Sequence, residues 1–188
     1  MNRLMNRRAG LTLLGAAAWT LASAPLARKP RAGEPELGDL SDLKVSNPPA
    51  DLPEIIFSTT DGHEHTLGEF HGHAMVVNIW ATWCGPCVAE MPSLVKLSEA
   101  LAPSDIAVMP LSSDRGGADV VQRFYRDHAI TALPILLDPK SSAMRALGLR
   151  GIPTTLLVDR DGRERARLEG SADWSTRETI ARVKSLLA

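Results

Sequence analysis

The chain has 188 residues, 44% of them hydrophobic, with 21 Lys and Arg against 22 Asp and Glu, for a net charge of −1. That length holds one domain plus extensions. The charge balance gives no basis for nucleic-acid binding, and an aromatic content of 4% leaves little for a base-stacking platform.

Residues 1–27 read as a targeting segment. Arg3, Arg7 and Arg8 form a basic start, and Ala9 to Ala27 carries no charge. Ala22-Ser23-Ala24 resembles a signal-peptidase site, with Ala27 as another candidate. The apolar run is long enough for an uncleaved membrane anchor to remain an alternative. Arg7-Arg8 resembles a twin-arginine signal, the other option being an ordinary secretory start. Either route places the protein in the periplasm or on the outer face of the cytoplasmic membrane. No cysteine lies in this segment, which excludes a lipoprotein anchor. Its loss removes three arginines and no acid, leaving a net charge of −4.

Residues 28–51 read as a Pro-rich linker, with Pro30, Pro35, Pro48 and Pro49 breaking regular structure. Leu37, Leu40 and Leu43 recur every third residue, as a short docking helix would require, or mark nothing stable. The folded domain is expected over residues 52–188. Glu54 to Phe57 predicts a strand and Asp61-Gly62 a hairpin turn, followed by one helical turn over Thr66 to Phe70. His63, His65, His71 and His73 cluster here. They are solvated turn residues or, in an alternative reading, copper or zinc ligands of a metal-carrying assembly factor.

Met75 to Trp80 has the continuous apolar run of a strand buried on both faces. It leads into Trp83-Cys84-Gly85-Pro86-Cys87, which holds the only two cysteines of the chain. If a helix starts after Trp83, residues three apart share a face at a separation of roughly 5–6 Å, which suits a disulfide. Cys84 then sits at the helix N-terminus, where orphan N–H groups and the macrodipole favour a thiolate. Pro86 fits the first turn, where its missing N–H is not needed. Cys87 lies one turn deeper, placed to resolve a mixed disulfide. A structural staple closing so short a loop removes little chain entropy. A zinc site has no second cysteine pair to draw on. Glu90, three residues beyond Cys87, shares its face, and a partly buried carboxylate can exchange protons with a thiol. Pro92 predicts a kink, and Leu94, Val95, Leu97 and Leu101 a core-facing stripe.

Trp83 to Cys87 resembles the thioredoxin active site. Asn78 to Thr82 and Glu90-Met91-Pro92 resemble, more narrowly, the TlpA/ResA branch of extracytoplasmic thioredoxins. The resemblance implies an α/β thioredoxin-like fold: a central mixed sheet flanked by helices, with an N-terminal β-hairpin and an inserted helix-strand unit. It implies that Glu90 is an active-site acid–base group and that Trp83 shields the sulfurs. Asn78 stands where thioredoxin itself carries a buried acid.

Further along, Ile106 to Leu111 predicts a strand, Val120, Val121, Phe124 and Tyr125 one face of a helix, and Leu133 to Leu137 another strand. This extra helix and strand resemble the branch's insertion. Ser141 is the expected cap of a helix holding Met144 and Leu147, with Gly148 at its end. Pro153 matches the family's cis-proline beside the cysteine pair. The Ile152 backbone before it can then pair with an extended substrate segment. Leu156 to Val158 and Arg163 to Leu168 predict strands around an Asp161-Gly162 turn, and Trp174 to Leu187 a terminal helix.

The expected activity is reduction of disulfides in partner proteins, with no cofactor and no metal, fed by a membrane-embedded thiol reductant. The family's partners include apocytochrome c and assembly proteins of the cytochrome oxidase copper site. Apocytochrome-specific members commonly place a glutamate after the cis-proline. Thr154 stands there, which points to the broader TlpA-like group. A disulfide oxidase or isomerase would use the same cysteines. A peroxidase would have a threonine three residues before the reactive cysteine, where this chain has Ala81.

Overall fold

A computed structural model describes residues 36–188. The expected targeting segment, its twin-arginine motif and the first part of the linker lie outside the described residues. Eight strands form one sheet: β1 (Lys44–Ala50), β2 (Ile56–Ser58), β3 (Glu64–Thr66), β4 (Ala74–Trp80), β5 (Ile106–Ser112), β6 (Leu136–Leu137), β7 (Thr154–Val158) and β8 (Glu164–Glu169). Among the described residues four α-helices accompany them: α1 (Gly85–Leu101), α2 (Gly117–Asp127), α3 (Ser142–Ala146) and α4 (Arg177–Leu187). Across the sheet the strands run β1-β8-β7-β4-β5-β6-β2-β3. β4 pairs parallel to β5 and antiparallel to β7, so the sheet is mixed. This is the thioredoxin-like α/β arrangement, with its hairpin (β2–β3) and its inserted unit (α2 and β6).

Every residue of β4 is buried. Its alternation feeds two cores. Val76 and Trp80 pack with Met91, Leu94 and Leu97 of α1, Phe124 of α2 and Val183 of α4. Met75, Val77 and Ile79 face Phe57, Leu67, Ala143 and Leu156 on the other side. Asn78 lies on the α1 side of this alternation, and that places an amide under the active-site helix.

The linker expectation needs correcting. Lys44–Ala50 is an edge strand antiparallel to β8, and Leu40 and Leu43 pack against the core without forming a helix. Asn47-Pro48 is a cis bond, and the register shifts between Val45 and Ala50. An edge strand needs hydrogen bonds on one side only, so it tolerates prolines that would disrupt a central one. β6 is shorter than expected. Pro134 carries no N–H, and pairing to β5 covers only Leu136 and Leu137.

α1 continues past Pro92 to Leu101. Ser141 occupies the N-cap position of α3 at a φ of 50°, but its side chain makes no cap hydrogen bond. The Asp138 carboxylate instead accepts from the N–H groups of Ser142 (2.9 Å) and Ala143 (2.8 Å). Trp174 lies before α4 rather than within it. Thr176 caps that helix by accepting from the Thr179 N–H.

Candidate active site

The turn between β4 and α1 is held from both sides. The Ser113 N–H donates to the Trp80 carbonyl at 2.9 Å. The Thr82 N–H and hydroxyl both donate to the buried Asp114 carboxylate, at 2.9 and 2.7 Å. Cys84 is thereby fixed as the N-cap of α1, with Gly85 and Pro86 opening the helix. The Cys87 N–H points at Cys84 Sγ, 3.3 Å away. This is an orphan donor of the helix start aimed at the sulfur, an arrangement that favours negative charge there.

The two sulfurs are joined, with Cα atoms 5.2 Å apart. Cys84 keeps 6% of its surface exposed and Cys87 none. The outer sulfur is therefore the one a partner can reach. Cys84 Sγ also lies 3.7 Å from the Ile152 carbonyl oxygen, and the Ile152-Pro153 bond is cis. Trp83, expected over the sulfurs, keeps 70% of its surface exposed.

Glu90 is fully buried, more deeply than the motif suggested. Its Oε1 accepts from Asn78 Nδ2 at 2.8 Å. Its Oε2 accepts from the Trp174 indole N–H at 3.1 Å and from the Ala172 N–H at 3.2 Å. Burial raises its pKa to about 7, and the three hydrogen bonds pull the other way without cancelling it. A carboxyl with that value gains and loses its proton near neutral pH, as a general acid–base needs.

Asn78, Ala172 and Trp174 were not identified from the sequence as partners of Glu90. Asn78 also donates to Thr155 Oγ1 of β7 at 2.9 Å. The amide replaces thioredoxin's acid and, here, serves as a donor to a different acid. Trp174 offered a weaker clue, because a tryptophan buried at the end of a chain normally finds a partner for its N–H.

The four clustered histidines are spread along the hairpin side and not gathered into one site. His65 Nδ1 lies 2.9 Å from Glu69 and His73 Nδ1 3.2 Å from Asp105, while His63 Nε2 is 3.9 Å from Asp61. Hydrogen bonding to His65, with lesser help from the Thr66 N–H, holds the exposed Glu69 carboxyl below its ordinary value. Among the described residues, no group of three or more His, Cys, Asp or Glu side chains is placed to hold a metal ion.

The Redoxin family model matches residues 46–185. The chain belongs to the Redoxin family. It is 28% identical to the thiol-disulfide oxidoreductase ResA of Geobacillus thermodenitrificans, over 63% of this chain and 67% of that protein. It is 31% identical to the thioredoxin-like protein YneN of Bacillus subtilis, over 58% and 64%. Among solved structures it superposes on a DsbF homologue from Corynebacterium diphtheriae with a TM-score of 0.64 at 22% identity, covering 78% of this chain and 93% of that one. StoA of Bacillus subtilis superposes with a TM-score of 0.57 at 21% identity, covering 73% and 98%. The ResA-like resemblance of the motif is borne out. This Redoxin-family chain is a thiol–disulfide oxidoreductase of the thioredoxin type.

Proposed function

We propose that this protein is a reductant of protein disulfides outside the cytoplasm, serving the assembly of cytochrome c or cytochrome oxidase. The observation that carries the reading is the Cys84–Cys87 pair at the start of α1, with a buried Glu90 three residues beyond Cys87 on the same helix. In the reduced protein the Cys84 thiolate attacks one sulfur of a partner disulfide. A mixed disulfide forms and the partner's other sulfur leaves as thiolate. Cys87 passes its proton to the Glu90 carboxylate and attacks Cys84 Sγ. The partner's second sulfur leaves and takes up a proton. Two electrons have then moved to the partner, and Cys84–Cys87 is oxidised. The Ile152 carbonyl beside Cys84 holds an extended partner segment by strand pairing.

An exported dithiol is soon oxidised by its surroundings, so sustained reduction requires an outside donor. A membrane-embedded thiol reductant supplies it, meeting this domain either anchored by residues 1–27 or released from them. The direction of electron flow follows from the Gly85-Pro86 pair. Cys84-Gly85-Pro86-Cys87 resembles the motif of reducing thioredoxins, whereas strong oxidants usually carry a histidine between the cysteines.

Insulin reduction, compared with oxidative refolding of a reduced substrate, tests this direction. Faster reduction than refolding is expected, and a reduction potential near that of strong oxidants overturns it. Mixed disulfides trapped in cells on a Cys87→Ala variant identify the partners. Cytochrome-assembly proteins are expected among them, and their absence removes that assignment.

A further inference from the structure

A groove of about 860 Å³ opens beside the redox turn, between the loop after β5 and the α3 segment, with Trp83 among its lining residues. Half-buried Val120, Met144 and Leu149 contribute apolar surface to it, and exposed Arg115 and Arg145 contribute charge. The one acid that lines it, Asp114, is 3% exposed, and its carboxylate is taken up by Thr82 and by the Ser112 hydroxyl at 2.9 Å. Among the described residues neither guanidinium has a carboxylate partner. Arg145 donates to the Lys140 carbonyl, which steadies its side chain. A protein of net charge −1 thus presents two uncompensated cations next to an exposed tryptophan and the nucleophilic turn.

We infer that this groove selects partner segments in which acidic and apolar residues flank the reactive cysteine. The inference rests on the reductase reading and adds the class of substrate to it. Guanidinium groups bind carboxylates through paired hydrogen bonds, and charge-assisted pairs at the rim of an apolar surface fix orientation as well as attraction. The segment that delivers its sulfur to Cys84 passes Trp83, so its neighbouring side chains reach Arg115 and Arg145. Exposed ion pairs contribute modestly each and are screened by salt, so the selection is a matter of rate more than of tight complexes.

The test uses the reduced full chain and three peptide disulfides. They are matched in length and differ in carrying Glu, Gln or Lys within about four residues of the cysteine, roughly 13 Å of extended chain. The expected order of kcat/KM is Glu, then Gln, then Lys, with about tenfold between the extremes at low ionic strength. That ratio shrinks as salt rises and inverts in Arg115→Glu/Arg145→Glu. Hydroxyethyl disulfide, small and neutral, is assayed alongside. If the parent reduces it yet turns over all three peptides equally, or if the double variant keeps the parent's order, the groove inference is overturned and the reductase reading stands. If the parent reduces neither it nor any of the three peptides, the reductase reading falls and the inference with it. Dimerisation that depends on protein concentration and is abolished by the double variant would assign the groove to a second copy, which also overturns the inference.

Discussion

The molecule holds two gatherings of groups that titrate or react: the turn and helix start around Cys84, Cys87 and Glu90, and the hairpin side with His63, His65, His71 and His73. Both are dense in chemistry-bearing residues along the chain. They differ in what surrounds them. Glu90 is fully buried, with three N–H donors and a pKa raised to about 7. His63, His71 and His73 are exposed, and the imidazoles of His63 and His73 lie nearest single surface carboxylates. A low-dielectric enclosure with fixed donors makes an ordinary carboxyl into a neutral-pH proton carrier. Proximity in sequence supplied the candidates for both regions, and enclosure singled out one.

The sharpest way to break that contrast is Cys84→Ser. Loss of the accessible sulfur is expected to lower disulfide exchange by more than about 1000-fold, read with insulin or hydroxyethyl disulfide. Retained activity would place the chemistry elsewhere in the chain.

Next comes Glu90→Gln. Removing the proposed proton acceptor of Cys87 is expected to slow resolution of the mixed disulfide by about 100-fold. It also removes the limb of the pH–rate profile that belongs to a group near 7. The same variant reports on stability. The folded pKa of Glu90 is raised from 4.5 to about 7, so its proton favours the folded state fully below 4.5. That contribution fades as pH rises through about 7. For the oxidised parent this predicts a loss of about 3 kcal/mol from pH 4.5 to above 7, measured by denaturant melts. The Gln variant should lack that pH-dependent loss.

Trp174→Phe is a finer probe, because it keeps a ring and deletes one donor to Oε2. The carboxylate loses a stabilising hydrogen bond, so the pKa of Glu90 should rise further. The corresponding limb of the pH–rate profile is expected to move up by about one unit, with kcat at high pH little altered. A purely structural role for Trp174 would lower the folded fraction without moving that limb.

The smallest effect belongs to the other region. Replacing His63, His65, His71 and His73 together by Asn is expected to leave insulin reduction within about twofold, with any loss of stability confined to His65, which is half-buried and stacks on Phe57. Tight copper or zinc binding by the Cys84→Ser/Cys87→Ser protein that disappears with these histidines would collapse the contrast from the other side.

Much of the fold could be read along the chain because its signals are local. Met75 to Trp80 shows the unbroken apolar run that only a doubly covered strand tolerates. Val121, Phe124 and Tyr125 mark the buried face of α2, as expected. Asp161-Gly162 makes the turn between β7 and β8, with Gly162 at a φ of 77°. What escaped was pairing between distant segments. The prolines of Lys44–Ala50 suggested a tether because they break strands in general, yet an edge strand against β8 accommodates them. Ser141 looked like a cap by residue type, while the carboxylate that reaches the α3 N–H groups comes from Asp138.

The sequence by itself determined the reactive pair, its spacing and its place where a strand turns into a helix, because each of these depends on residues within a few positions of one another. Only the tertiary structure decided how deeply Glu90 is enclosed, that Asn78 and Trp174 hold its two oxygens, and that Asp114 clasps the turn at Thr82. Those contacts join residues 12, 84 and 32 positions apart. Such separations are closed by the packing of the sheet against α1 and the chain end, and no local pattern records them.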